Sequence, residues 1–295
     1  MKKLEFIKRS HGSHWVGDGF PVRGVFSYND IAEQMSPFLL LDYAGPANFT
    51  PTTARRGVGP HPHRGFETVT IVYDGQVEHR DSTGGGGVIG PGDVQWMTAA
   101  GGIVHEEYHG ADFAKTGGPF EMIQLWVNLP ARHKMDRPGY QGITADRMPT
   151  VALALADGAG SVRVIAGRYG DAQGPAHTFS TMNLWDLKVQ PDRTVTLELP
   201  EGHTAALLVL RGSIALPGEQ IAREAELAVM ERAGTQLSFS TQADGATLLL
   251  LSGEPLNEPI VGYGPFVMNS ETEIRQAFLD FQSGRMGRIA ASAAT

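Results

Sequence analysis

At 295 residues the chain exceeds the roughly 100–200 residues of one domain, and its net charge of −8 with a pI near 5.7 opposes an extended polyphosphate groove. Cysteine is absent, which excludes disulfides, thiolate metal sites and cysteine nucleophiles, so a metal here must sit on His, Asp or Glu. The 37 glycines and 18 prolines stay below the low-complexity range of roughly 25–30% and mark a folded, turn-rich protein.

The N-terminal stretch MKKLEFIKRSHGSHW has a basic start without an apolar core of signal-peptide length, and no later stretch approaches the roughly 18 apolar residues of a membrane span. A cytoplasmic protein with no membrane partner is expected. Short apolar runs bounded by Gly, Pro or Asp follow at 66–73, 94–97, 120–129, 162–166, 184–189, 204–210 and 247–251. Turn chemistry at Asp74-Gly75, Pro91-Gly92-Asp93 and Arg211-Gly212 reverses one run into the next. Many short strands with regular turns predict an all-β sandwich or barrel.

The segment 270–283 reads differently. Ser270 and Glu273 form a capping box, Ile274, Ala277, Phe278 and Phe281 recur at helical spacing, and Gly284 suits a left-handed stop. A terminal helix docking its Ile/Phe face on a sheet is expected. Self-comparison adds a weak repeat: Arg211-Gly212-Ser213-Ile214 resembles Asp74-Gly75-Gln76-Val77, and ELAVMERAG at 226–234 resembles DVQWMTAAG at 93–101. Two similar β domains are implied, 1–140 and 141–295, divided in the Pro/Gly-interrupted stretch 135–150.

The segment Gly59-Pro60-His61-Pro62-His63-Arg64-Gly65-Phe66-Glu67 carries the sharpest chemistry. In an extended chain alternate side chains share a face, so His61 and His63 can converge on one ion. By the same parity His105 and Glu107 of Gly101-Gly102-Ile103-Val104-His105-Glu106-Glu107 share a face, and Glu106 points away, to solvent or behind the ligands. Glu67 keeps parity with His61 and His63 on an unbroken strand, so parity does not choose between Glu67 and Glu107 for the carboxylate. The remaining histidines, His11, His14, His79, His109, His133, His177 and His203, read as surface or hydrogen-bonded and receive no role.

Four blocks, HPHRGFETVT at 61–70, PGDVQWMTAAGGIVHEE at 91–107, QLWVNLP at 124–130 and GEPLNEPIVGYGPFVMN at 253–269, resemble the pirin family of the cupin superfamily, from about residue 20 to the terminal helix. The resemblance implies two tandem cupin (jelly-roll) barrels with a C-terminal helix, and one metal, usually iron, in the first barrel. Its ligand positions match His61, His63, His105 and Glu107, which leaves Glu67 as a supporting residue behind them. His109 stands where many cupins place Asn, and the stretch Glu67 to Gly75 is one residue longer than the common first cupin motif; both suit a pirin better than a single-domain cupin. At the repeat offsets, His61 and His63 map onto Glu198 and Pro200, and His105 and Glu107 onto Ser238 and Ser240. The second barrel is therefore expected to be structural and metal-free.

A divalent metal on three imidazoles and one carboxylate keeps a charge of about +1 and, if six-coordinate, two open positions. The residue set also accepts Mn, Co, Ni, Cu or Zn; Fe(II) follows from the resemblance. Bacterial pirins of this kind imply quercetin 2,3-dioxygenase activity, in which a flavonol and dioxygen meet at the metal, the ring opens and carbon monoxide is lost. Glu107 then doubles as the base for the flavonol 3-hydroxyl, and the lack of thiols suits an oxidising site. The alternative the resemblance implies is an iron-dependent, redox-responsive regulator that binds a transcription factor or metabolic enzyme; the acidic balance favours a protein partner over nucleic acid.

Overall fold

The computed structural model describes residues 1–10, 12–154 and 159–290; His11 lies outside them. The chain forms two compact β units, and no described helix is long and apolar enough to cross a membrane.

One unit comprises residues 12–33, 38–145 and 257–290. It contains a seven-stranded sheet in the order Gly139–Ile143, Val94–Thr98, Phe66–Asp74, Gly118–Asn128, Phe38–Phe49, Phe20–Phe26, Ser13–Val16. A four-stranded sheet runs Gly57–His63, Ile103–His109, Val77–Asp81, Gly86–Ile89. Both sheets contribute to one interior cluster: Val77 and Ile89 from the smaller, Phe20, Val22, Ala44, Val72, Phe120 and Met122 from the larger. Two antiparallel sheets sharing a core in this way are the jelly-roll arrangement.

The other unit comprises residues 1–10, 34–37, 146–154 and 159–256. Its sheet is organised around Thr204–Leu216 and Gln236–Gly253, whose two halves pair with different neighbours. Residues 236–240 of the latter pair with Thr194–Glu198, and residues 246–253 with Met182–Val189. Bulges near Val209 and Gly212 bend the first of these long strands, so one sheet can wrap its apolar face around Leu197, Leu207, Phe239 and Leu250.

These two barrels differ from the expected 1–140 and 141–295 at both ends. The N-terminal strand Leu4–Arg9 pairs with Glu226–Met230 and packs Leu4 and Ile7 on the later barrel's core. Residues 257–290 belong with the earlier barrel. Its helix, Glu271–Gln282, starts at Ser270, which accepts from the Glu273 backbone N–H while Glu273 Oε2 accepts from Asn269 N and Ser270 Oγ. Ile274 and Ala277 pack with Val104, Phe266, Met268 and Met286. The docked stripe is narrower than expected: Phe281 is 39% exposed, and Asp280 is buried instead, held by Arg64 at 2.9 Å. Backbone pairing and packing over long sequence separations decide this membership, and neither leaves a local pattern.

The repeat mapping also shifts. Ser238 and Ser240 lie on the outer face of their strand, hydrogen-bonded to Thr196 and Thr194, while Leu237 and Phe239 point into the core beside Leu197 and Val195. A slip of one residue exchanges the faces of a strand. The interior that corresponds to the histidine strands of the first barrel is thus filled by large apolar side chains, and Thr196, not Glu198, is the residue opposite Ser238.

Gly65 turns the chain from the strand Gly57–His63 into Phe66–Asp74. Its φ is +91°, its N–H donates to Ala100 O, and a Cβ there would stand 2.0 Å from Val267 O. Gly65→Ala combines left-handed strain of about 1–3 kcal/mol with a backbone clash, so a fall in Tm of several degrees is expected; an unchanged melting curve contradicts the packing described. Phe239→Ala removes a buried ring from the other core and should cost about 3–5 kcal/mol in denaturant titration.

Candidate metal centre

The antiparallel pairing of Ile103–His109 with Gly57–His63 sets His105 opposite His61 and Ile103 opposite His63. The strand period of two then puts all three imidazoles on the inner face. Ring centroids are 4.2 Å apart for His61 and His105, 4.8 Å for His63 and His105, and 4.9 Å for His61 and His63. One nitrogen from each ring lies within 4.8 Å of the others. His105 is fully buried and His63 nearly so, while His61 is only partly covered, so solvent reaches the cluster on the His61 side.

Each ring is held by its Nδ1. His61 Nδ1 donates to Gly59 O at 2.8 Å, His63 Nδ1 to Pro265 O at 3.3 Å, and His105 Nδ1 lies 3.1 Å from His79 Nε2. Carbonyl oxygens only accept, which fixes the proton on Nδ1 of His61 and His63 and leaves their Nε2 as lone pairs. His105 Nε2 is buried with no hydrogen-bond partner. Burial above all holds the pKa of each ring below the ordinary histidine range, most strongly for His63 and His105, and the neighbouring imidazoles add to the effect there. Three neutral imidazoles with converging lone pairs, one of them an orphaned buried nitrogen, fit a divalent metal.

The carboxylates separate. Glu107 sits on the inner face with His105, buried, and Thr70 Oγ1 lies 3.4 Å from its Oε1 and 2.7 Å from Gln124 Oε1. One hydroxyl proton serves only one acceptor. The shorter contact takes it, so Thr70 donates to Gln124 Oε1 and only approaches Glu107. Burial raises the Glu107 carboxyl to about 7. Glu107 stands outside the close three-nitrogen set. Glu67 lies three residues from Thr70 on the unbroken strand Phe66–Asp74, hence on the opposite face, where it accepts from Thr98 Oγ1 at 2.8 Å. The structure does not bring Glu67 to the histidines, neither as ligand nor behind one.

Glu106 points away as expected, but not to solvent: it is 5% exposed and accepts from Arg80, through Nε at 2.9 Å and through Nη2, and from Arg55 Nη2 at 3.2 Å. His109 Nε2 meets Gly19 O at 2.8 Å, and its ring packs among Phe49, Phe113 and Phe120. Sequence reasoning missed His79, which is fully buried, touches His105 and stacks on Tyr140 at 5.4 Å. Its one available signal was the alternation Val77, His79, Asp81 on a short strand.

A pirin family model matches residues 19–127 and a pirin C-terminal cupin model residues 184–287. A Pseudomonas aeruginosa protein named as a provisional quercetin 2,3-dioxygenase is 58% identical over 98% of this chain and 99% of its own length. The crystal structure of a quercetin 2,3-dioxygenase from Acinetobacter baumannii superposes with a TM-score of 0.94 at 51% identity, covering 98% of this chain and 100% of that one. A pirin-like protein of Caulobacter vibrioides is 40% identical over 86% of this chain and 88% of its own length. With two barrels, both family models and relatives aligned along nearly their full length, the chain belongs to the pirin family.

Proposed function

We propose that the chain is a metal-dependent dioxygenase of the quercetin 2,3-dioxygenase type. In this reading His61, His63, His105 and Glu107 hold one divalent metal, with Fe(II) as the working ion. The observation that carries the proposal is the convergence of three neutral imidazoles whose Nδ1 atoms are all engaged and whose Nε2 atoms are free. The activity named for the relatives in Pseudomonas aeruginosa and Acinetobacter baumannii supports the reaction class.

The bound ion would supply a Lewis acid for the flavonol 3-oxygen and a site for dioxygen. The chain's own residues do the rest. His61 is the partly exposed member of the three, and the ligand would approach on its side. Beside His63, Phe66 and Trp126 stack at 4.2 Å and present an apolar wall, with the Trp126 ring 5.1 Å from His63. Glu107, detached from the ion, would receive the 3-hydroxyl proton, with Thr70 Oγ1 3.4 Å from its Oε1.

Purified protein loaded anaerobically with Fe(II) is expected to retain about one ion per chain, and His61→Ala to retain almost none, by metal analysis after desalting. Admitting air and quercetin should then bleach the flavonol band with release of carbon monoxide, and Glu107→Gln should lower kcat by about 10²–10⁴-fold. Metal-loaded protein that neither bleaches quercetin nor releases carbon monoxide overturns the dioxygenase reading.

A further inference from the structure

We propose that His79 is a positioning residue of the metal centre: its Nε2 accepts the Nδ1 proton of His105 and fixes His105 in the form whose Nε2 lone pair faces His61 and His63. This rests on the metal reading above. The strand Val77–Asp81 pairs with Ile103–His109 so that His79 lies opposite Glu107 and Asp81 opposite His105, which places His79 on the inner face. The contact between the two rings is 3.1 Å and buried on both sides.

His61 and His63 present Nδ1 to carbonyl oxygens, which only accept, so their proton positions follow from the backbone. His105 alone faces a group able either to accept or to donate. If His79 donates, the remaining proton of a neutral His105 sits on Nε2 and points at the other two rings, and no metal can bind there. If His105 donates, its Nε2 is a lone pair and His79 carries its own proton on Nδ1. Asp81 bears on this choice. It lies two residues along the same face; its Oδ1 accepts from the Thr83 and Gly85 N–H groups, and its Oδ2 is buried without a hydrogen-bond partner. His79 Nδ1 is likewise buried and without a partner, and a carboxylate on this face favours an N–H there over a lone pair. Tyr140, stacked on His79 with planes 9° apart, holds the ring in the orientation that keeps Nε2 on His105. Ligating histidines usually meet a carboxylate, carbonyl or water at the second nitrogen. Here an imidazole takes that place, with Asp81 acting on it from beyond.

Two measurements on the full chain test this. In the metal-free protein, long-range nitrogen–proton NMR correlations should show both His79 and His105 with the proton on Nδ1. A His105 protonated on Nε2 overturns the proposal without reference to any variant. Competition with a chromophoric chelator should show Co(II) binding weakened about 10–100-fold in His79→Leu. His79→Gln, whose Oε1 can accept from His105, should recover most of that loss. Leu and Gln variants that bind Co(II) as tightly as the parent, or that lose it equally while their circular dichroism and melting curves stay native, also overturn it. Should His79→Leu not fold, the NMR result on the parent decides. A parent chain that binds no Co(II) fails the metal reading instead, and the tautomer measurement still reports on His79 separately.

Discussion

An imidazole inside a barrel gives up water, and each ring of this cluster makes one hydrogen bond to the chain, through Nδ1; the buried Nε2 of His105 makes none. The three Nδ1 atoms find Gly59 O, Pro265 O and His79 Nε2, and one nitrogen from each ring lies within 4.8 Å of the others. A buried polar atom without a partner costs about 1–3 kcal/mol, so the cluster works against the stability of its own barrel. Strands that tolerate this must be held by everything around them. Much of the first barrel can be understood as the means by which three lone pairs are kept together at a distance that no apolar packing would choose.

Those means come largely from distant sequence. Pro265 supplies the carbonyl for His63, and Val267 N–H donates to Arg64 O. Lys134 Nζ donates to Gly65 O, Asn128 Oδ1 and Val267 O at 2.6, 2.6 and 2.9 Å, joining the turn after the ligand pair to the C-terminal segment. Arg64, next to His63, donates to Gly101 O and to Asp280 on the terminal helix. The helix packs on Val104, the outward neighbour of His105. Residues 257–290 thus form the back wall of the ligand strands, which explains why this segment belongs with the earlier barrel.

What the sequence made legible follows the period of two. His61, His63, His105 and Glu107 were readable because alternation along two strands aims them at one face, and the helix was readable from Ser270 and Glu273. Glu67 could not be separated from Glu107 in this way: its parity with His61 and His63 breaks at Gly65, whose positive φ carries the chain around a turn, so counting across it assigns the wrong face. The repeat failed by a single residue for a related reason. Met230 and Met97 both face inward, but the connection to the next strand is one residue longer in the second barrel, so a constant offset presented Ser238 and Ser240 where Leu237 and Phe239 point inward. His79 was illegible because its meaning lies in a cross-strand contact with His105, 26 residues away in sequence.

The strand Ile103–His109 shows how two opposite electrostatic designs occupy one piece of chain. On its inner face burial lowers the pKa of His105 and raises the Glu107 carboxyl to about 7. On its outer face Glu106 is also buried, yet it is paired with Arg55 and Arg80, with the Arg55 guanidinium further stacked on Tyr108 at 3.6 Å. Charge placed outside, behind the sheet, holds the strand without populating the interior with a cation that would compete with the metal. An arginine on the inner face would satisfy Glu107 at once and remove the reason for an ion to bind. The alternation of side chains lets one strand carry a satisfied salt-bridge network on one face and the imidazole cluster on the other, and the matching strand of the second barrel carries Leu237 and Phe239 inside.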